Sequence, residues 1–305
     1  MNKNCGAANC ALPSVTQASS DIGLPFYRCP SCTALKIPDE QLLHASVEPD
    51  AQVKTPRIMG ILFRMRELWL KQFVPELRQR QAAILDVGCG DGQWLEYLNR
   101  RGHARSYGYE VNAGRLRNAL ARGVKAFPDL ASARTDQGTS FSIIFLWHVY
   151  EHLDTPVSIL RTVLERLDRD GVLILSIPNH GGLATRRFGI FSGFLDYHRH
   201  LWYFGEPYFE WLGRTLPDFS VRRVPEANFE YEIYGWIDTV ASVIVRRVNF
   251  VHLALKKGEG GPLKRLAAAA LALVLAPLAV CLATATILLP RHSSTLTYAV
   301  RRRTD

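Results

Sequence analysis

The nine residues at 84–92, ILDVGCGDG, decide the fold of this chain. An apolar run that predicts a buried strand leads into a loop with glycine at every second position. Glycine permits positive φ and leaves no Cβ between the backbone and a ligand, so such a loop can approach a bound molecule closely. A helix is predicted over 93–100, and its N-terminus would point at that ligand. Glu110 ends the next predicted strand, 20 residues after Gly90, where a carboxylate can accept both hydroxyls of a ribose.

The spacing of the glycines separates two kinds of ligand. A dinucleotide fold prefers G-x-G-x-x-G, which would need glycine at position 93, but Gln93 stands there and the third glycine is Gly92. Asp91 within the loop is a poor neighbour for a pyrophosphate and suits a cationic nucleoside without phosphate. S-adenosylmethionine, a sulfonium with an amino-acid tail, fits that description. A nicotinamide-dependent oxidoreductase is the alternative, and a tight turn without any ligand is the purely structural interpretation.

Strands and helices alternate on both sides of this loop. Predicted strands lie at 83–87, 105–110, 124–127, 141–147 and 172–177, and predicted helices lie at 56–80, 93–100, 113–121 and 155–167. This order predicts a doubly wound, mostly parallel α/β sheet. Residues 295–302 alternate like a strand and are predicted to close the sheet.

The chain resembles the class I S-adenosylmethionine-dependent methyltransferases. The matching stretches are ILDVGCGDG at 84–92, YGYEVN at 107–112, FLWHVYEHL at 145–153 and GVLILSIPN at 171–179. The H-V-x-E-H motif and a later R-H-L-x-x-F element at 199–204 resemble a bacterial branch of that superfamily. The resemblance implies a Rossmann-like, seven-stranded sheet. It predicts a zinc-ribbon-like segment at 1–50, a methyltransferase domain at 56–225 and a C-terminal extension at 226–305.

The resemblance also implies a set of cofactor-binding residues. Gly88, Gly90 and Gly92 would line the methionine part of the cofactor. Asp86 would orient the loop or meet the amino group, and Glu110 would hold the ribose. Asp129 would lie near the adenine, and Trp147 would close over the cofactor. One departure is Ser142, where the family usually has aspartate at the start of the strand.

A histidine and glutamate cluster follows the strand at 141–147. His148, Glu151 and His152 fall at its C-terminal end, where ligands bind in open α/β sheets. A histidine beside a carboxylate can act as general base on an acceptor, while alignment of the reacting groups carries much of the rate. We predict His148 and His200 as catalytic. The alternatives are structural histidines that cap a helix or pair with Glu151, and a divalent metal on Glu151 and His152, as in the ubiquinone-type O-methyltransferases.

Four of the six cysteines lie within the first 32 residues. Cys5 and Cys10 form one pair and Cys29 and Cys32 another, a spacing that suits tetrahedral zinc. The segment around Cys29 resembles a zinc-ribbon knuckle. Structural zinc is the prediction, and unliganded cysteines are the alternative. A catalytic thiol is not predicted, because no base lies nearby in the sequence.

The 305 residues carry a net charge of +9, and 48% are hydrophobic, which is an ordinary globular composition. It excludes disorder, collagen and coiled coil as descriptions of the whole chain. The basic balance suits nucleic acid, an anionic membrane surface or a phosphorylated substrate. The Asn-Pro-Pro-aromatic signature of amino-directed nucleic-acid methyltransferases is absent, because residues 176–179 read SIPN, so nucleic acid is disfavoured. No apolar signal peptide opens the chain.

Residues 266–289 form a 24-residue run without a charge, preceded by Lys264 and Arg265. The length suffices to cross a bilayer, and the basic flank indicates the cytoplasmic side. Because 295–302 must return to the sheet, we predict a shallow membrane-associating helical hairpin bent at Pro277. A buried core hairpin, an oligomer contact and a single transmembrane span are the alternatives.

These observations predict a methyltransferase at the cytoplasmic face of a membrane. It would move a methyl group from S-adenosylmethionine to an oxygen, nitrogen or carbon of a small-molecule, lipid or lipid-linked sugar acceptor. The rivals are the oxidoreductase and a non-catalytic scaffold that keeps the fold.

Overall fold

The computed structural model describes residues 17–19, 25–38, 57–196, 199–225, 229–255, 260–289 and 293–303. The strands are β1 (Gln17–Ser19), β2 (Pro25–Arg28), β3 (Leu35–Lys36), β4 (Ile84–Val87), β5 (Ser106–Tyr109), β6 (Lys125–Phe127), β7 (Phe141–Trp147), β8 (Leu167–Pro178), β9 (Trp202–Tyr203), β10 (Phe219–Val224) and β11 (Thr295–Arg302). The helices are α1 (Arg57–Phe73), α2 (Gln93–Arg100), α3 (Ala113–Ala121), α4 (Pro156–Glu165), α5 (Leu183–Phe188), α6 (Glu206–Thr215), α7 (Phe229–Val245), α8 (Phe250–Leu255) and α9 (Gly261–Leu288).

Seven strands form the main sheet, in the order β10-β11-β8-β7-β4-β5-β6. The five strands from β8 to β6 are mutually parallel, and β11 runs antiparallel to both of its neighbours. This is the predicted doubly wound, Rossmann-like sheet. Its central strand β7 has four consecutive apolar residues, Ile143 to Leu146, with no exposed surface, because helices cover both faces.

The strand register brings three chain segments to one edge of the sheet. Val87 of β4 lies beside Tyr109 of β5 and beside Leu146 of β7. The residues that follow these strands are therefore neighbours, although they are distant in the sequence. That edge carries the glycine loop, Glu110 and the histidine cluster.

The N-terminal segment joins the main unit through a second, antiparallel sheet. Strands β1, β2 and β3 continue into β9, with Leu35 opposite Tyr203 and Lys36 opposite Trp202. The backbone N–H of Ile37 also donates to the carbonyl of Leu201, at 3.2 Å. The R-H-L-x-x-F element thus pairs with the cysteine segment, a contact that the sequence did not reveal.

The predicted hairpin bent at Pro277 is wrong. Helix α9 runs without interruption for 28 residues through Pro277. Proline removes one hydrogen bond from a helix, but here it lies on the exposed side, while the opposite side is packed both before and after it. Before the proline, Ala268 and Leu275 belong to an apolar cluster with the C-terminal part of α7 and with α8. After it, Ala279 and Ala283 belong to a cluster with Trp236 of α7. This packing on both sides of the proline supports an uninterrupted helix, and the antiparallel partner of α9 is α7.

Helix α9 is, by length and composition, able to cross a bilayer, a test that core helices of soluble proteins also pass. Only 22% of its most apolar 18-residue window is buried. Among the described residues, α9 alone passes this test.

Candidate functional site

The glycine loop after β4 turns through three left-handed residues, Gly88, Gly90 and Gly92, with φ of +75°, +57° and +74°. A Cβ on Gly88 would lie 2.4 Å from the Val149 side chain, so glycine is required there by packing as well as by φ. A Cβ on Gly90 would meet nothing within 4 Å among the described atoms. The Gly90 side of the loop is therefore open, as a ligand cradle must be.

Glu110 ties the glycine loop to the loop after β5. One carboxylate oxygen accepts the backbone N–H of Gly90 at 2.9 Å, and the other accepts that of Asn112 at 2.8 Å. The side chain is buried to 7% exposure. The carboxylate is thus fixed at the rim of the cradle, with lone pairs still available for hydroxyl donors.

Asp86 lies beneath the loop at the end of β4. Burial raises the pKa of its carboxyl to about 7, the negative charge of Glu110 adds to that rise, and the Arg66 guanidinium opposes it. A cation bound beside Asp86 would favour the ionised form of its carboxyl group. A positively charged amino group of a ligand would therefore suit this position.

Arg66 of α1 is a site residue that sequence reasoning missed. Its guanidinium lies over the rings of Trp94 and Trp147, at 5.2 and 5.0 Å, and forms an ion pair with Glu230 of α7. It is 7% exposed. The available signal was its position three residues after Phe63, on the face of α1 that is buried. Arg66 therefore places a buried positive charge, paired with Glu230, at this edge of the sheet.

Trp147 ends β7, and His148 directly follows it at the same edge. Trp147 stacks on Phe145 at 5.2 Å, and its indole N–H is buried without an acceptor among the described residues. His148 has a left-handed φ of +54°, which is costly for a residue with a Cβ and is typical of functional sites. Its ring stacks on Tyr231 of α7 with centroids 3.7 Å apart. The strain and the stacking fix the direction of the imidazole.

Glu151 is a buried carboxylate between two imidazoles. One of its oxygens lies 3.5 Å from Nδ1 of His148 and 3.9 Å from Nε2 of His200. Burial alone would raise the pKa of Glu151, but hydrogen bonding from His148 and the potential of the neighbouring histidines bring it below its usual range. The carboxylate is therefore ionised at neutral pH and can orient His148.

His200 lies deeper than His148. It is 4% exposed, and burial lowers its pKa to about 4. A neutral imidazole of that basicity is a weak proton acceptor at pH 7 but a good metal ligand. Its place beside Glu151 suits positioning of that carboxylate better than proton transfer.

Three side chains in this cluster could hold a metal ion. Glu151, His152 and His200 each offer one ligand atom, and these atoms lie within 4.8 Å of one another. Nδ1 of His152 lies 3.0 Å from the carbonyl oxygen of Arg199, the kind of second contact that orients a metal-binding imidazole through its other nitrogen. The chemistry of this donor set suits a divalent transition metal.

Of the four predicted zinc ligands, Cys5 and Cys10 lie outside the described residues. Cys29 and Cys32 are buried in the turn between β2 and β3. There the N–H of Thr33 donates to the Cys29 carbonyl at 2.9 Å, and Thr33 has a φ of +60°. The two cysteines thus lie in one tight turn, and zinc binding stays a prediction.

Asp129 is exposed at the turn after β6. Its carboxylate accepts the N–H of Ser132 at 2.7 Å, and this bond lowers its pKa. The residue caps its own turn at the same edge of the sheet as Glu110. Its predicted contact with adenine stays a prediction.

Comparison with solved structures found similar folds at low identity. The plantazolicin methyltransferase BpumL in complex with SAH is 14% identical, with 80% of this chain and 84% of that chain covered and a TM-score of 0.47. A SAM-dependent methyltransferase from Thiobacillus denitrificans in complex with S-adenosyl-L-homocysteine is 15% identical, with 82% and 100% covered and a TM-score of 0.44. Coclaurine N-methyltransferase bound to N-methylheliamine and SAH is 13% identical, with 87% and 80% covered and a TM-score of 0.47.

A comparison with curated protein sequences found no match. A family model described as a methyltransferase domain matches residues 63–216, just over half of the chain. The matched residues include the glycine loop, Glu110 and the whole histidine cluster. This chain therefore belongs to the class I S-adenosylmethionine-dependent methyltransferase family.

Proposed function

We propose that this chain catalyses methyl transfer from S-adenosylmethionine to a nucleophile held beside His148. The observation that carries the proposal is the Glu110 carboxylate, which is fixed by the backbone of Gly90 and Asn112 at the rim of the open loop. A ribose with two hydroxyls is the natural partner of such a carboxylate. The family to which the chain belongs supports the same ligand.

The charges around the loop match the amino-acid tail of this cofactor. Asp86 would hold the amino group, because a nearby cation offsets the energetic cost of ionising this buried carboxyl group. Arg66 would hold the carboxylate group, since its guanidinium is buried at this edge among aromatic rings. When bound, the cofactor supplies a methyl group on a cationic sulfur.

His148 would remove the proton of the acceptor. Glu151, with an oxygen 3.5 Å from Nδ1 of the ring, would hold the proton on Nδ1 and so leave Nε2 as the proton acceptor. The ionised carboxylate stabilises the imidazolium that forms, and solvent then takes the proton. Tyr231 keeps the ring plane fixed by stacking. In this scheme His148 is the base, and His200 positions Glu151.

The acceptor would be a small molecule, a lipid or a lipid-linked sugar that offers oxygen, nitrogen or carbon. The exposed apolar helix α9 supports the lipid-type acceptors, and the basic residues before it support the cytoplasmic side. Cys29 and Cys32 would hold structural zinc together with Cys5 and Cys10.

The test is calorimetric titration of the full chain with S-adenosylmethionine and S-adenosylhomocysteine. We expect binding, and we expect Glu110→Ala to bind roughly a hundredfold more weakly, because two hydrogen bonds to a charged group are lost. Glu165→Ala, an exposed glutamate on α4, is the matched control and should bind like the parent. Failure of folded protein to bind either ligand would refute the proposal in favour of a scaffold, and binding of NADH instead would favour the oxidoreductase.

A further inference from the structure

Helix α9 presents a continuous apolar stripe that no described residue covers. At about 100° per residue its large exposed members fall on one side of the helix, and they are Leu263, Leu266, Leu273, Val274, Leu278 and Leu288. Leu263 is 80% exposed and Leu273 is 77% exposed. At 1.5 Å per residue the 28-residue helix is about 42 Å long. A stripe of this length and composition marks an interaction surface.

The opposite side of α9 packs against α7 and α8. These two helices are in turn hydrogen-bonded to the methyltransferase domain. Thr239 of α7 accepts the N–H of Gly193 at 2.8 Å. His252 of α8 accepts from the Arg199 guanidinium at 2.9 Å. The layers therefore run from the sheet, through α7 and α8, to α9 as the outermost helix.

Both ends of α9 are held by the same underlying helices. Near its start, Lys264 lies over the Phe250 ring of α8 at 5.8 Å. Near its end, Thr286 accepts the indole N–H of Trp236 at 3.3 Å and donates to Glu232. A helix that spans a bilayer has its ends on opposite sides of the membrane. Since both ends of α9 contact one layer of the protein, the helix lies along the protein surface.

The charges at one end of this surface select an anionic partner. Arg246 and Arg247 directly follow α7 and are exposed, and Lys264 and Arg265 lie in the first turns of α9, at the end of α9 that packs on the C-terminal part of α7. The sequence from 261 to 303 contains no Asp or Glu. Basic residues beside an apolar helix face are the composition that binds anionic lipid headgroups while apolar side chains enter the acyl region.

We propose that α9 docks in the plane of an anionic bilayer, with its Leu-rich stripe in the headgroup–acyl boundary and the basic end on the headgroups. The helix does not span the membrane, and the sheet stays on one side of it. This specifies the membrane location that we propose above. Its test uses no methyl transfer and no cofactor, so a failure here and a failure of the proposed activity are distinguishable.

The first experiment is flotation of the full chain with vesicles of phosphatidylcholine, with and without phosphatidylglycerol. We expect binding that phosphatidylglycerol strengthens and high salt weakens. Each buried leucine is worth about a tenfold change in partition, so Leu273→Asp with Leu278→Asp should partition roughly a hundredfold more weakly. The matched control, Ile61→Asp with Leu120→Asp, changes exposed apolar residues of α1 and α3 and should bind like the parent. Circular dichroism and thermal unfolding check that both variants are folded.

Unchanged vesicle binding by the folded Leu273→Asp and Leu278→Asp variant would overturn the proposal. So would a stable dimer that this variant dissociates while the parent binds no vesicles, because the stripe would then cover a second copy.

The second experiment measures depth with Cys281, which is exposed on α9. A fluorophore on this thiol should be quenched best by lipids brominated near the headgroup, because an in-plane helix lies about 5–10 Å into the boundary. Cys281→Ser gives the background from the other thiols. Strongest quenching by lipids brominated near the chain ends would place residue 281 at the bilayer centre and would refute the in-plane arrangement.

Discussion

Alanine at Gly88 and alanine at Gly90 should damage this protein in different ways, and the pair tests the assignment of the glycine loop. Both residues have positive φ, at +75° and +57°. A left-handed conformation costs a residue with a Cβ about 1–2 kcal/mol, so each substitution should lower the free energy of unfolding by that amount. The environments of the two new methyl groups then separate the variants.

At Gly88 the methyl group would lie 2.4 Å from the Val149 side chain, and overpacking of this kind costs about 1–3 kcal/mol more. The free energy of unfolding of Gly88→Ala should therefore fall by about 2–5 kcal/mol. At Gly90 the methyl group meets no described atom within 4 Å and enters the open side of the loop. Gly90→Ala should thus remain folded but lose cofactor affinity by about tenfold or more, which corresponds to about 1.4 kcal/mol.

Urea denaturation measures the first quantity, and calorimetric titration with S-adenosylhomocysteine measures the second. Adding Val149→Ala to Gly88→Ala should restore part of the lost stability, because it removes the clashing methyl groups. If Gly88→Ala unfolds no more easily than Gly90→Ala, the packing argument fails. If Gly90→Ala binds the cofactor product like the parent, the open side of the loop is not the cofactor site.

Three further predictions follow from buried charges and caps. Because burial raises the pKa of Asp86 to about 7, binding of a cationic amino group should release protons at pH 6–7, and Asp86→Asn should abolish this release, measured by calorimetry in buffers of different ionisation enthalpy. Burial lowers the pKa of His103 to about 4, so the unfolded chain takes up this proton first as pH falls. Stability should therefore decline as pH falls from about 6.5 to 4, and less steeply in His103→Leu, as thermal unfolding would show. Asp238 accepts the N–H groups of Val251 and His252 at the start of α8, so Asp238→Ala should lower the free energy of unfolding by about 1–2 kcal/mol and Asp238→Asn by less, measured with urea.

The sequence allowed the sheet to be predicted because its information is local. The stretch at 84–92 and the apolar run at 141–147 each specify a strand and its following loop within a few residues. The family and the Rossmann-like sheet are confirmed. The roles assigned to the individual site residues stay predictions, since they need a bound ligand to test them.

What the sequence could not provide depends on contacts between distant segments. Arg66 acquires its role only because Trp94 and Trp147 approach it from other elements. The prediction of a bend at Pro277 was wrong because it also left out contacts with distant segments. A proline weakens an isolated helix, but packing against α7 and α8 on both sides of residue 277 outweighs that local preference.

The first turn of α7 shows why the C-terminal region is part of the enzyme and not a detachable anchor. Consecutive residues of a helix point about 100° apart, so three neighbours can reach three different partners. Glu230 pairs with Arg66 on the cofactor side, and Tyr231 stacks on His148 on the acceptor side. Glu232, fully buried, accepts from the described segment before β11 and from Thr286 of α9. One turn of α7 therefore joins the cofactor cradle, the proposed base and α9, the helix that we propose docks on a membrane.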